Sequence, residues 1–344
     1  VELARAGWVE DVAINDRCWP VLIHQLLAMA LASDGVPVEA AWSVLRGVPD
    51  FRGIERAEFD RLVEWMLRDQ SLVLVSGRLV VGPKAERQFG RRNFMEIYAV
   101  FSSPQSYTVE TATGHVLGSL NQDFVDRLVE GVSGFLLSGR AWTVLRVVHG
   151  ERRIQVEPAP RGRQPTWGGF LPQFLGHAVC QKMLEVLTSD DTYPYLTPAA
   201  AEALAQQREA MAEVLTPSLG GIELDADEVR WWTYAGGAIN STLRQALGAV
   251  HADWKVTTDN VLVRVRGEDL DGRTFAQALE RLTAPAFWDD QALWQDVAGS
   301  LPSYRLSKFQ PLMPPWVERE VLGRYLLDVA GTKAWLLQAR RSTP

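Results

Sequence analysis

A helical pattern that runs straight into two short apolar stretches around a tight turn most limits how this chain can fold. From about Arg56 to Asp69, the residues Phe59, Leu62, Val63, Met66 and Leu67 recur at the spacing that gathers side chains on one face of a helix. Leu72-Val73-Leu74-Val75 and Leu79-Val80-Val81 follow at once, separated by Ser76-Gly77-Arg78. Short runs of β-formers on either side of a glycine turn spell a hairpin. Upstream, Val21, Leu22, Leu26, Met29 and Ala30 predict a helix from Cys18 to Ser33, with Asp16 placed to cap it. Gly35-Val36-Pro37 stops that helix and opens another through Trp42 to Leu45.

Three helices followed by a two-stranded ribbon form a winged-helix pattern, in which the third helix is the usual groove reader and the ribbon is the wing. The outward positions of this third helix are Glu55, Arg56, Glu58, Asp60, Arg61, Glu64 and Arg68. Acid is slightly ahead of base, which is poor for holding phosphates. A packing or hinge role therefore stands beside base readout.

Beyond Gly90-Arg91-Arg92-Asn93 the composition shifts to short β-forming runs: Ile97 to Phe101, Tyr107 to Glu110, His115 to Leu120, Phe135 to Leu137, Trp142 to His149 and Arg153 to Glu157. Glycines punctuate them, so a small antiparallel β-barrel is expected, interrupted by one helix from about Gln122 to Glu130. Pro158 to Trp167, rich in Pro, Gly and Arg, reads as a loop. Helical patterns then dominate from Phe174 to Leu187, Pro198 to Leu215 and Asn240 to Val250, and again from Thr274 onward. A short strand pair falls around Val229 to Tyr234 and Val261 to Val265. The fold class is thus α+β multidomain: a connector at 1–17, a winged helix at 18–90, a β-barrel-like domain at 91–160 and a mainly helical α+β domain at 161–344.

The formal net charge of -7 argues against a wholly basic nucleic-acid binder, so any such contact must come from local surfaces. Cys18 and Cys180 are the only cysteines, each in an apolar helical pattern, which excludes a disulfide framework and fits a reducing cytoplasm. The chain starts with Val and has neither a signal peptide nor a long apolar stretch, and it reads as an internal fragment with no membrane partner. No phosphate-cradling glycine loop appears, so ATP hydrolysis by this chain alone is not expected and no cofactor is assigned to it. The five histidines lack metal-ligand spacing. Asp190-Asp191, Asp225 with Asp227, and Asp289-Asp290 fall where helices begin or loops turn, and capping explains them better than an acid-base or metal site. Neither catalytic nor metal residues are assigned.

Three groups of segments carry a family resemblance. The first is Pro20-Val21-Leu22-Ile23-His24-Gln25-Leu26-Leu27-Ala28-Met29 with Phe59 to Leu67. The second is Arg92-Asn93 to Phe101, then Gly118-Ser119-Leu120-Asn121-Gln122-Asp123-Phe124-Val125 and Leu137-Ser138-Gly139-Arg140-Ala141-Trp142-Thr143-Val144. The third is Val156-Glu157-Pro158-Ala159-Pro160, leading into Pro165-Thr166-Trp167-Gly168-Gly169. In order and spacing they resemble the region that follows the two motor domains of Lhr-type superfamily 2 helicases. The similarity weakens in the last half, where Leu215 to Trp231 and everything from Gly267 onward lack family landmarks.

The resemblance implies an ATP-dependent 3′-to-5′ DNA helicase whose N-terminal motor domains hold the ATP and Mg, with this region completing a channel around single-stranded DNA. It leaves DNA repair and phage defence both open. A channel of this kind needs positive charge and flat side chains on which bases stack. The loop Arg161-Gly162-Arg163-Gln164-Pro165-Thr166-Trp167-Gly168-Gly169 supplies both. Trp167, where the resemblance places a base-stacking Trp, either stacks on DNA or plugs the junction of barrel and helices. Arg161, Arg163, Arg91 and Arg92 would meet phosphates. Arg140 either touches DNA or forms a salt bridge at its turn, and Lys308, beside Phe309, is a further DNA-contact residue. The rival reading from another class is a protein-interaction module that docks a partner or the helicase motor and has no direct DNA role.

Overall fold

The computed structural model describes residues 1–10, 12, 15–32, 35–89, 106–125, 128, 134–148, 151–159, 174–217, 220–225, 227–301, 307 and 309–341. They fall into two compact units, one made of Val1–Gln88, Pro172–Leu306 and Gln310–Pro344, the other of Phe89–Leu171 with Ser307–Phe309. Among the described residues no helix is long and apolar enough to cross a membrane.

In the first unit the winged helix forms as its periodicity predicts. The helix Trp19–Ala32 buries Trp19, Leu22, Ile23, Leu26, Leu27 and Ala30. Val38–Leu45 adds Ala41 and Leu45, and the third helix, Arg56–Arg68, adds Phe59, Leu62, Val63 and Met66. Strands β1 (Leu72–Val75) and β2 (Arg78–Val81) pair antiparallel, with Leu72 opposite Val81 and Val75 opposite Arg78. Ser76 and Gly77, at φ 50° and 77°, make the two-residue turn whose twist suits the strands. Val36 bridges to Leu79, so the segment before the second helix lies along the wing.

The second unit is built on β3 (Ser106–Thr111), β4 (Val116–Asn121), β5 (Gly134–Leu137), β6 (Arg140–Val148) and β7 (Arg153–Pro158), in the order β4-β3-β7-β6-β5. The strands fall where the β-forming runs predict. One neighbour relation differs from the antiparallel expectation: β3 and β7 run parallel, from Thr108 beside Arg153 to Thr111 beside Val156. Alternation in a sequence reports which face a side chain takes, not the direction of the strand next to it. Tyr107, Val109, Leu120, Phe135, Trp142, Val144, Ile154 and Val156 fill the core inside the curl of this sheet. The edge strands approach each other without a backbone ladder. Ser138 Oγ donates to the Leu117 carbonyl at 3.1 Å, and a Cβ on Gly118 would lie 3.6 Å from Leu137. Ser138→Ala removes this exposed link, with an expected loss of about 0.5–1 kcal/mol in thermal or urea unfolding.

The rest of the first unit is mainly helical, with helices at His177–Thr188, Pro198–Met211, Gly237–Val250, Gly272–Leu282, Pro285–Asp289, Gln291–Ser300, Pro315–Leu326 and Val329–Arg341. The expected strand pair is there, as β9 (Glu228–Trp232) against β11 (Leu262–Arg266). The four-residue strands β8 (Gly221–Leu224) and β10 (Lys255–Thr258) extend it to a sheet ordered β10-β11-β9-β8. Val229, Trp231, Val256, Val263 and Val265 share a core with Leu243, Ala246 and Leu247 of Gly237–Val250. The opposite face is polar, because successive strand residues point to opposite sides. Trp19, Trp142, Trp231, Trp254, Trp288 and Trp335 are buried, in keeping with core packing as the main use of this chain's tryptophans.

Candidate nucleic-acid interface

The third helix of the winged helix is where base readout would occur, and the structure shows it committed to packing. Arg17, just before the first helix, reaches its N-terminal turn. Its guanidinium donates to both Glu58 oxygens at 2.9 and 2.6 Å, to Glu320 Oε2 at 3.0 Å, and to the Gly53 carbonyl. Glu320 lies on Pro315–Leu326, so one arginine clamps the third helix to a helix near the end of the chain. The hydrogen bonds that it donates to Glu320 and then to Glu58 push the Arg17 pKa up. The Arg17 guanidinium in turn holds the Glu58 carboxyl below its usual range.

The same helix lays Trp316 against the winged helix. The Trp316 ring meets Trp19 edge-on at 5.1 Å, and the Arg61 guanidinium sits 4.7 Å from its centroid. Arg56 is paired with Asp60 at 2.8 Å and with Glu39, whereas Arg68 is exposed and has no ion pair among the described residues. On the wing, Arg78 donates to the Gly35 carbonyl at 2.6 Å, again a structural use. Leu74 and Val75 are exposed.

Of the seven DNA-contact residues expected from the sequence, Arg91, Arg92, Arg161, Arg163, Trp167 and Lys308 lie outside the described residues. Arg140 opens β6 directly after the turn Ser138-Gly139, where φ is 52° and 74°. It is exposed and has no ion pair among the described residues, so the turn-located salt bridge is not formed with any of them. Its guanidinium is thus presented at a hairpin tip.

Of the carboxylates in these pairs, Asp290, Asp289 and Asp225 have side-chain partners. Asp290 caps Gln291–Ser300, accepting from Ala292 N and Leu293 N at 3.0 and 3.1 Å. Asp289 pairs with Lys333 at 2.6 Å, and Asp225 pairs with Arg230. Among the described residues no three His, Cys, Asp or Glu side chains converge as metal ligands. Lys255, Arg264 and Arg266 are exposed basic residues that the sequence does not single out as a group. Their signal was the alternation Val263-Arg264-Val265-Arg266, which becomes a surface only once β10 is seen to pair with β11.

Residues 2–166 match the family model described as the winged helix domain of the large helicase-related protein. The match covers just under half of the chain. The match runs past the Lhr-type winged helix through the whole curled sheet, up to the Arg/Trp loop. A search of curated proteins finds no match. Among solved structures, the chain is similar to a DUF1998 helicase, MrfA, bound to DNA, at 8% identity and a TM-score of 0.23. The similarity covers 86% of this chain and 37% of that one, so this Lhr-like accessory region spans well under half of that helicase's length.

Proposed function

We propose that this chain is the DNA-engaging accessory region of an Lhr-like ATP-dependent 3′-to-5′ helicase and guides single-stranded DNA by base stacking and phosphate contacts. The observation that carries this reading is the family match over residues 2–166, because it joins the winged helix and the curled sheet into one inherited piece. ATP and Mg belong to motor domains outside this chain, and the cytoplasm is the proposed compartment. The winged helix serves as a scaffold, since Arg17, Trp316 and Glu320 occupy the helix face that would otherwise read bases. Strand guidance falls to the loop after the sheet, where Trp167 stacks on a base and Arg161 and Arg163 hold phosphates. Arg91, Arg92, Arg140 and Lys308 add sequence-independent cationic contacts.

The test is fluorescence anisotropy of a labelled oligothymidylate with the wild-type chain and Trp167→Ala across a salt series. Loss of the stacking partner is expected to weaken binding by about 1–3 kcal/mol, roughly 5- to 150-fold, with the thermal melt unchanged. Equal binding by both proteins at every salt concentration removes Trp167 from the mechanism. Absence of binding by either protein rejects the DNA-engaging role and favours docking of a protein partner or of the motor.

A further inference from the structure

The polar face of the sheet β10-β11-β9-β8 carries a charge arrangement that packing does not explain. Its register sets Lys255 directly opposite Arg266, and Arg264 opposite Arg230 on its other side. Like charges placed face to face across a sheet are destabilising. On the β8–β9 side the cost is offset: Arg230 binds Glu223 at 3.3 Å, Glu228 at 3.0 Å and Asp225, and Arg266 is also held by the buried Glu228. On the β10–β11 side it is not. Lys255 and Arg264 are exposed and have no carboxylate partner among the described residues.

These groups form a shallow recess with the exposed hydroxyl of Thr257, bounded by Arg266 and Glu228. We propose that this face, led by Lys255, Thr257 and Arg264, is a phosphate-binding surface for the backbone of a nucleic-acid strand. In an acidic chain, uncompensated cations gathered on a rigid ribbon concentrate local positive potential despite the net charge. Lys255 and Arg264 are diagonal neighbours across β10 and β11, ~7–8 Å apart, so they present donors at the spacing of neighbouring phosphates on an extended strand. Thr257 adds a neutral donor. The core on the opposite face fixes the ribbon, so the donors are pre-organised rather than ordered on binding.

The inference rests on the DNA-engaging reading above, and its test separates the two. The whole chain is titrated into a labelled oligothymidylate as wild type, as Lys255→Ala/Arg264→Ala, as Lys255→Arg and as Trp167→Ala. The double variant is expected to bind roughly tenfold more weakly at about 50 mM salt. Its plot of log affinity against log salt should be shallower by about 1.4, so that the gap to wild type shrinks ~7-fold by about 200 mM. Lys255→Arg keeps the charge and should bind as wild type, and unchanged melting temperatures show that the fold is intact. If the double variant matches wild type in affinity and slope while Trp167→Ala weakens binding, the sheet proposal is overturned and the helicase reading stands. If only the double variant loses affinity, the sheet proposal stands and the stacking role falls. If the wild-type chain binds no oligonucleotide, both fall.

Discussion

Replacing Arg17 by Met is expected to lower the folding free energy by about 3 kcal/mol, read as a shift of the urea midpoint at neutral pH. The side chain is 13% exposed and serves Glu58, Glu320 and the Gly53 carbonyl together. Its removal leaves two partly buried carboxylates with only the half-exposed Arg324, 3.3 Å from Glu320, to offset their charge. Breaking a fully buried pair costs about 3–5 kcal/mol, and the 32% and 23% exposure of the two glutamates places this case at the low end. The pH dependence gives a second readout. The folded-state pKa of Glu58 is depressed, chiefly by its hydrogen bond from Arg17. Its contribution is therefore fully present above the unfolded value of about 4.3 and is lost as pH falls through the lower folded value. Wild type and variant should converge in stability in acid and separate as pH rises. A constant gap across that range, or a loss under about 1 kcal/mol, would show that Arg17 is no clamp and only a surface ion pair.

This clamp also shows what the sequence could and could not reveal. The three helices and the wing were legible because Phe59, Leu62 and Met66 repeat at helical spacing and Ser76-Gly77 breaks two β-forming runs. The acidic bias of the third helix pointed toward packing. Its partner stayed hidden, because Trp316 and Glu320 lie near the far end of the chain, in a helix whose pattern says nothing of where it docks. The parallel pairing of β3 with β7 was equally invisible, since strand direction leaves no trace in alternation. Strands β8 (Gly221-Ile222-Glu223-Leu224) and β10 (Lys255-Val256-Thr257-Thr258) hold only two and one apolar residues, unlike the equally short β1, so they gave no apolar run to read, and with them went the cationic face that depends on cross-strand register. Arg140 was legible as a turn residue because Ser138-Gly139 announces the hairpin.

A buried amide lies at the ends of β9 and β10, and the second large effect is expected there. Asn240, fully buried, accepts from Thr233 Oγ1 at 2.7 Å and donates to the Asp259 carbonyl at 2.8 Å. It thereby ties the end of β9 and the start of the β10–β11 turn to the helix Gly237–Val250. The turn has its own lock, with Asp259 Oδ1 accepting from Val261 N and Leu262 N, each at 2.9 Å. Asn240→Leu keeps the volume and removes both bonds, so a loss of about 3 kcal/mol is expected. Changing Thr233 to Val in the same chain returns little of this, because the Thr233 hydroxyl also accepts from Ala235 N at 3.3 Å and donates to the Val261 carbonyl at 3.4 Å. The single variant should also speed amide exchange in β10 and β11 and weaken oligonucleotide binding through Lys255 and Arg264. Unchanged exchange at Val263 and Val265 in Asn240→Leu would mean that the ribbon holds its register without this amide, and that the phosphate-binding face is fixed by the sheet alone.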